Sequence, residues 1–248
     1  MVRLGKLLKF TLDNVLKSGI MYLSIKQKKG FRMKLKFSVG NSKIKELAEF
    51  LGLPYTHVQA FDLPAGHTCP FADICLAKVD RNTGIRTDGK NQKFVCYATK
   101  AECLYPNTRK ARWHNFDALQ ACNSTDEMAT LISESLPKYI EIIRIHSSGD
   151  FFSKMYFEAW VQVAKDNPEI TFFGYTKGIQ YVKADKPDNF KLVYSYGGKL
   201  DNKVTDDIPV SYVVSDDYAG NLPIPCADTG AGDYFTIMNG QSFALMEH

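Results

Sequence analysis

The sequence predicts an α/β fold of TIM-barrel-like type, a partial or distorted parallel barrel, with an irregular cysteine-rich N-terminal part. Three observations lead there. After residue 140, apolar strand-like runs recur with connections of about twenty residues, the pattern of parallel strands joined by crossovers. Polar residues follow several of these runs directly, where α/β sheets collect their reactive groups. Residues 68–110, in contrast, are irregular and rich in Cys, Gly, Asn and charge, a stretch too long for an ordinary loop. A full eight-stranded barrel is hard to fit after residue 140, so a barrel or half-barrel is expected.

In chain order, residues 41–52 read as a short helix, with Asn41 or Ser42 as N-cap and Gly52 as its stop. Residues 58–63 form a short strand leading into Pro64-Ala65-Gly66. Residues 109–122 and 124–139 both read as helices, and Ser124-Thr-Asp-Glu127 fits a capping box. Residues 140–145 are an apolar strand ending in His146-Ser-Ser-Gly-Asp150. Residues 153–167 are an amphipathic helix with Tyr156, Phe157, Trp160, Val161 and Ala164 on one face. Strands follow at 170–175, ending in Thr176-Lys177, at 190–196, and at 210–214, ending in Ser215-Asp216-Asp217.

Composition excludes several classes. The 248 residues are 45% hydrophobic and 23% charged, which is neither disordered nor collagen-like. Six cysteines are far too few for a disulfide scaffold. No apolar run reaches the ~18–20 residues of a membrane helix, so no membrane partner is expected. The thiols are expected in a reducing cytoplasm, where clustering points to metal or catalysis. Charge is uneven: residues 1–32 hold eight Lys/Arg and one Asp, so the remainder holds 23 basic and 26 acidic residues. The basic segment is expected to be a disordered leader, a nucleic-acid arm, or untranslated sequence ahead of a start at Met33 or Met21. Residues 33–248 are then a single α/β domain.

The cysteines fall as C-x5-C-x20-C-x6-C, from Cys69, Cys75 and Cys96 to Cys103. Thiolates in loops suit zinc or an iron–sulfur cluster, and coordination would hold an irregular segment that lacks a large core. The spacing matches no standard zinc finger or ferredoxin run, and four free cytosolic thiols are the plainer reading. His67 and His114 are spare imidazole candidates, while Cys122 and Cys226 carry no expected metal role.

From about residue 37 to residue 248 the chain resembles the phage-encoded gene product 88 family. The residues that carry the resemblance are FSVGNSKI (37–44), FDLPAGHTCPFADIC (61–75), CYA (96–98), ARWHNF (111–116), RIHSSGDFFS (144–153), FFGYTK (172–177) and PDNF (187–190). The family is largely uncharacterised, so the resemblance implies a phage protein of the host cytoplasm and little chemistry. Its cysteines run TCP-x-A-x2-C and soon CYA; here an insertion at residues 76–95 separates Cys75 from Cys96. A hairpin there would leave the thiolates adjacent. Other members carry more cysteines near the C-terminus, where this chain keeps Cys226 and His248, which puts a second metal site in doubt.

Two further resemblances bear on chemistry. Ser147-Ser-Gly-Asp-Phe151 is similar to the Asp-Ser-Gly-Gly-Phe loop of TIM-barrel guanine transglycosylases, whose relatives put 7-deazaguanines into phage DNA. That exchange needs paired carboxylates, for which Asp150, Asp216 and Asp217 are candidates, although Ser147 stands where the family has Asp. Cysteines ending in CYA also resemble radical SAM enzymes, in which three cysteines hold a 4Fe–4S cluster within a partial TIM barrel. C-x3-C-x2-C and a Gly-Gly-Glu segment are both missing here. A non-enzymatic reading is a metal-stapled module that binds nucleic acid or a host protein. In it Tyr97, Trp113, His114, Tyr175 and Tyr181 stack bases, and Lys100, Arg109, Lys110 and Arg112 hold phosphate.

The expectation is therefore a metal-containing enzyme that modifies a nucleobase or nucleotide. Asp150, Ser148, His146, Lys177 and Asp216 are its catalytic candidates, and Cys69, Cys75, Cys96 and Cys103 its metal ligands. Zinc or an iron–sulfur cluster is the cofactor, with S-adenosylmethionine only under the radical reading. Transglycosylase-type exchange ranks just ahead of radical SAM-type chemistry because the three-cysteine radical motif is broken. The plain alternative for residues 147–150 is a turn in which Ser or Asp caps the following helix.

Overall fold

The structure is a computed structural model that describes residues 33–39, 42–214, 226–227, 230–239 and 242–246. The expected basic leader at 1–32, Asp216, Asp217 and His248 lie outside the described residues. The strands are β1 (Phe37–Ser38), β2 (Val58–Phe61), β3 (Ala77–Val79), β4 (Arg86–Asp88), β5 (Ile142–Ile145), β6 (Thr171–Thr176), β7 (Phe190–Ser195), β8 (Val210–Val214), β9 (Cys226–Ala227) and β10 (Phe243–Met246). The helices are α1 (Ser42–Leu51), α2 (Tyr97–Leu104), α3 (Pro106–Gln120), α4 (Thr125–Ser135), α5 (Lys154–Asp166), α6 (Ile179–Lys183) and α7 (Gly230–Asn239).

The main sheet runs β1-β2-β5-β6-β7-β8-β10-β9. From β2 to β9 every pairing is parallel, and β2, β5, β6, β7 and β8 lie side by side in chain order. The parallel α/β expectation holds. A closed TIM barrel is not formed among the described residues. β1 pairs antiparallel on the outer side of β2 and so occupies the edge where a closing parallel strand would have to add.

Local chemistry sets the helix ends. Ser153 caps α5, its Oγ accepting the Tyr156 N–H at 3.1 Å, and Pro168 follows shortly after the helix ends. Ser124 caps α4 by accepting from Glu127 N–H at 3.1 Å, while Glu127 reaches back to the Asn123 N–H at 2.9 Å. α4 stops at Ser135, short of the expected 139, because Pro137 disfavours helix at the residue before it. Pro106 stands in the first turn of α3, where a missing N–H costs nothing.

Alternation along the strands sends side chains to two faces. Ile143 and Ile145 join Phe61, Phe172 and Leu192 in the larger core with Leu119 of α3, Ile132 of α4 and Trp160 of α5. Ile142 points the other way, with Val58, Ala60 and Phe173, against Ile44, Leu47 and Ala48 of α1. By the same period Arg144 belongs to this second face.

The insertion at 76–95 contains the β3–β4 hairpin, whose tight turn is held by Asp80 accepting from Asn82 and Thr83 N–H groups at 3.0 and 2.7 Å. The hairpin is fastened to α3. Arg81 pairs with Asp117 and lies over the Trp113 ring, and Arg109 donates to the carbonyls of Arg81 and Glu102. Helix α2 falls inside the segment expected to be irregular, since its eight residues, set off from α3 by Tyr105 alone, give too short a period to read.

Candidate functional site

The chain leaving β2 turns at Gly66 (φ +69°), where a Cβ would sit 1.9 Å from the Ala77 carbonyl oxygen. It then lies across the C-terminal ends of the parallel strands. Leu63 N–H donates to Ser148 O at 2.9 Å, and the Asp73 and Ile74 N–H groups donate to Gly197 O at 3.4 and 3.3 Å. Gly149 (φ +90°) allows the close approach on the other side, since a Cβ there would meet Thr68 Oγ1 at 2.6 Å. Cys69 and Cys75 are thereby carried on a loop clamped by the ends of β5 and β7.

Cys69, Cys75 and Cys96 line one cavity of about 370 Å³ at these strand ends. Cys96 enters it from the N-terminus of α2. Burial raises all three thiol pKa values, and Cys69 also feels Asp150, Cys96 and Cys75. Lys177 works against burial at Cys75. Gly66 N–H donates to Cys69 Sγ at 3.4 Å. Cys103 does not line the cavity: it lies two turns along α2 from Cys96, and the expected four-sulfur set is not assembled there. Among the described residues, no three His, Cys, Asp or Glu side chains are arranged to hold one metal ion.

His146, Ser148, Asp150 and Lys177, all expected at the site, line the same cavity. Asp150 ties two strand ends together. Its Oδ1 accepts from Phe151 N–H and Thr176 Oγ1, both at 2.7 Å, and its Oδ2 from Lys177 N–H at 3.0 Å. Burial raises its pKa, and these bonds oppose the rise. It does not cap α5; Ser153 does. Ser148 turns its hydroxyl to Leu63 O at 2.8 Å. Lys177 Nζ donates to the carbonyls of Ser195 and Tyr196. His146 sits at φ 88° in a conformation rare for a non-glycine residue. It shares a hydrogen bond with Tyr156 at 2.9 Å, and burial lowers its pKa to about 3, so its ring is neutral.

Several expected nucleic-acid contacts face inward instead. Arg109 and Arg112 are both 6% exposed and serve α2, α3 and the hairpin. Tyr181 stacks on Phe157 in the core, and Trp113 packs on His67 and Phe116. His67 is committed to Val79 O at 3.1 Å. Lys100 and Lys110 are exposed. Tyr97 and Tyr175 line the cavity.

Sequence reasoning missed the polar groups beneath the cysteine loop. Glu102, fully buried, accepts from Ala65 N–H at 2.8 Å and from Arg112 at 2.9 Å. Asp62 accepts the Ser147 and Ser148 N–H groups at 2.8 and 3.0 Å. Arg144 and Asp233 were also missed, although a lone Arg inside an apolar strand was a visible signal.

Residues 32–245 match the family described as Gene product 88. Two relatives, each described as "Gene 88 protein", come from Mycobacterium phage L5 and Mycobacterium phage D29, at 30% and 29% identity over 168 residues. The alignments cover 63% of this chain, and the chain spans 59% of each relative's length. No solved structure matches. No described helix is long and apolar enough to cross a membrane.

Proposed function

The chain belongs to the phage gene product 88 family, and from that premise we propose that it is an iron–sulfur enzyme of the host cytoplasm acting on a nucleobase or nucleotide. The observation that carries this reading is the meeting of Cys69, Cys75 and Cys96 in one cavity at the C-terminal ends of sequentially ordered parallel strands. The three thiols are close enough to influence one another electrostatically, Cys69 feeling both Cys96 and Cys75. Thiolates are the usual holders of iron–sulfur clusters. Cys69, Cys75 and Cys96 would hold such a cluster, and S-adenosylmethionine is the co-substrate this reading calls for. When bound, such a cluster supplies one-electron reduction.

The protein's own residues then shape the space. Asp150 has about one of its four lone-pair positions left after three hydrogen bonds, which suits a bond to a cationic or N–H group of a ligand. Lys177 and the neutral His146 add fixed polar atoms, and Phe151 and Tyr156 close the site from the core side. The transglycosylase reading draws less support. It asks Asp150 to act as a mobile nucleophile, whereas the carboxylate is held on both oxygens.

Anaerobic purification or reconstitution, followed by iron and acid-labile sulfide analysis and visible absorption, tests the proposal. Iron and sulfide are expected, lost on Cys69→Ala, Cys75→Ala or Cys96→Ala and retained on Cys103→Ala. Zinc alone, or no iron after reconstitution, overturns it.

A further inference from the structure

The same cavity is also lined by a buried charge that packing alone does not explain. Arg144 is the third residue of β5, between two isoleucines of the core, and is 5% exposed. Its Nη1 pairs with Asp233 Oδ2 at 2.6 Å, and its guanidinium lies 5.2 Å from the Tyr175 ring centre. Asp233 is in turn held by the Tyr175 hydroxyl, which donates to Oδ1 at 2.7 Å, and Tyr175 accepts from Thr236 at 3.0 Å. The Nε of Arg144 is buried and has no hydrogen-bond partner.

Stability does not account for this arrangement. A buried ion pair is on balance no better than apolar residues of the same volume, and an unmatched buried donor costs about 1–3 kcal/mol. Desolvation pulls the guanidinium pKa down, but Asp233 and the neighbouring tyrosines more than restore it, so the charge persists. Nε belongs to the Nε/Nη2 edge, one of the forks by which a guanidinium engages carboxylate or phosphate through two N–H bonds. Arg144, Asp233, Tyr175, Tyr97 and Lys43 all line the cavity, with the Lys43 ammonium 5.6 Å from the Tyr97 ring centre. At about 370 Å³ the space falls within the ~300–1,000 Å³ range of small-molecule sites.

We infer that Arg144 is the anion-recognising residue of a small-molecule site, one that takes a carboxylate or phosphate at the guanidinium and the ligand's aromatic body elsewhere in the cavity that Tyr97 and Tyr175 help to line. Asp233 and Tyr175 fix the plane of the fork and leave its other edge for the ligand. The inference stands whether or not the cysteines hold a cluster.

Calorimetric titration of the full chain as purified, with adenosine, AMP and S-adenosylhomocysteine, tests it. The three probes share a nucleoside body and carry, in turn, no anion, a phosphate, and an amino-acid carboxylate together with its ammonium. At least one anionic probe is expected to bind tenfold or more tighter than adenosine, and the better one identifies the preferred anion. Arg144→Lys keeps the charge beside Asp233 but removes the fork, and is expected to reduce the preference to under threefold. A second variant, Arg144→Gln with Asp233→Asn, removes both charges at similar volume and is expected to abolish the preference, with melting curves checking that each variant is folded. Equal affinity for all three probes, binding of none, or an intact preference in both variants overturns the inference. The readout needs no iron, so it fails or succeeds separately from the cluster assay.

Discussion

Glu102 and Arg112 form a fully enclosed ion pair, Oε1 to Nη1 at 2.9 Å, beneath the loop that carries Cys69 and Cys75. The same carboxylate oxygen holds the Ala65 N–H, and Asp62 lies 3.6 Å from Arg112 on the other side. One network therefore joins α2, α3, the cysteine loop and the end of β5. Glu102→Ala leaves Arg112 only partly compensated, and urea unfolding is expected to show a loss of about 3–5 kcal/mol. Glu102→Leu combined with Arg112→Met is expected to cost less than the two single changes added together.

Asp150 bridges β5 and β6 rather than capping α5. In Asp150→Asn one oxygen still accepts from Phe151 and Thr176, but an amide nitrogen faces the Lys177 N–H, donor against donor. A loss of about 1–3 kcal/mol is expected from that unmet donor. Ser153→Ala, which removes the true cap, is expected to cost ~1 kcal/mol and to leave anionic-ligand binding unchanged. Equal effects of the two changes on ligand affinity would argue against a site role for Asp150.

His146 makes stability depend on pH. Its folded pKa of about 3 lies below the ordinary 6.5, with burial as the cause. Between those values the unfolded chain binds the proton and the folded protein does not, so stability is full above pH 6.5 and falls as pH drops toward 3, by at most ~1.4 kcal/mol per unit. His146→Asn, an exchange that tolerates the positive φ, is expected to flatten the difference between unfolding curves at pH 4.5 and pH 7. An unchanged difference would assign the acid sensitivity to other groups.

Glycine at 149 is a requirement of the site, not of the turn alone. Gly149→Ala adds a Cβ 2.6 Å from Thr68 Oγ1 and 2.8 Å from Leu63 Cβ at φ +90°. It is expected to destabilise the protein more than Gly52→Ala, which has φ +67° and open space around it and so incurs only the backbone penalty of ~1–2 kcal/mol. It is also expected to lower iron content after reconstitution, because Thr68 adjoins Cys69. Melting temperatures and iron analysis of both variants check this.

The sequence by itself determined the elements whose side chains repeat within a few residues. The α5 stripe of Tyr156, Phe157 and Trp160 was legible because one-faced burial imposes a short period, the Ser124 cap of α4 because capping is local chemistry, and the parallel strands through Val214 because burial on both faces makes short continuous apolar runs. It also marked Cys69, Cys75, Cys96, Asp150 and Lys177 by chemistry and by their position after strands. Only the tertiary structure decided which of these meet. Cys103 drops away from the cavity, Arg109 and Arg112 turn inward, and among the described residues no barrel closes, with β1 paired antiparallel at the edge of β2. Arg144 meets Asp233 across 89 residues of chain, and Glu102 reaches Ala65 across 37. Such meetings depend on strand register and on the paths of loops, which summed long-range packing fixes and no local periodicity records.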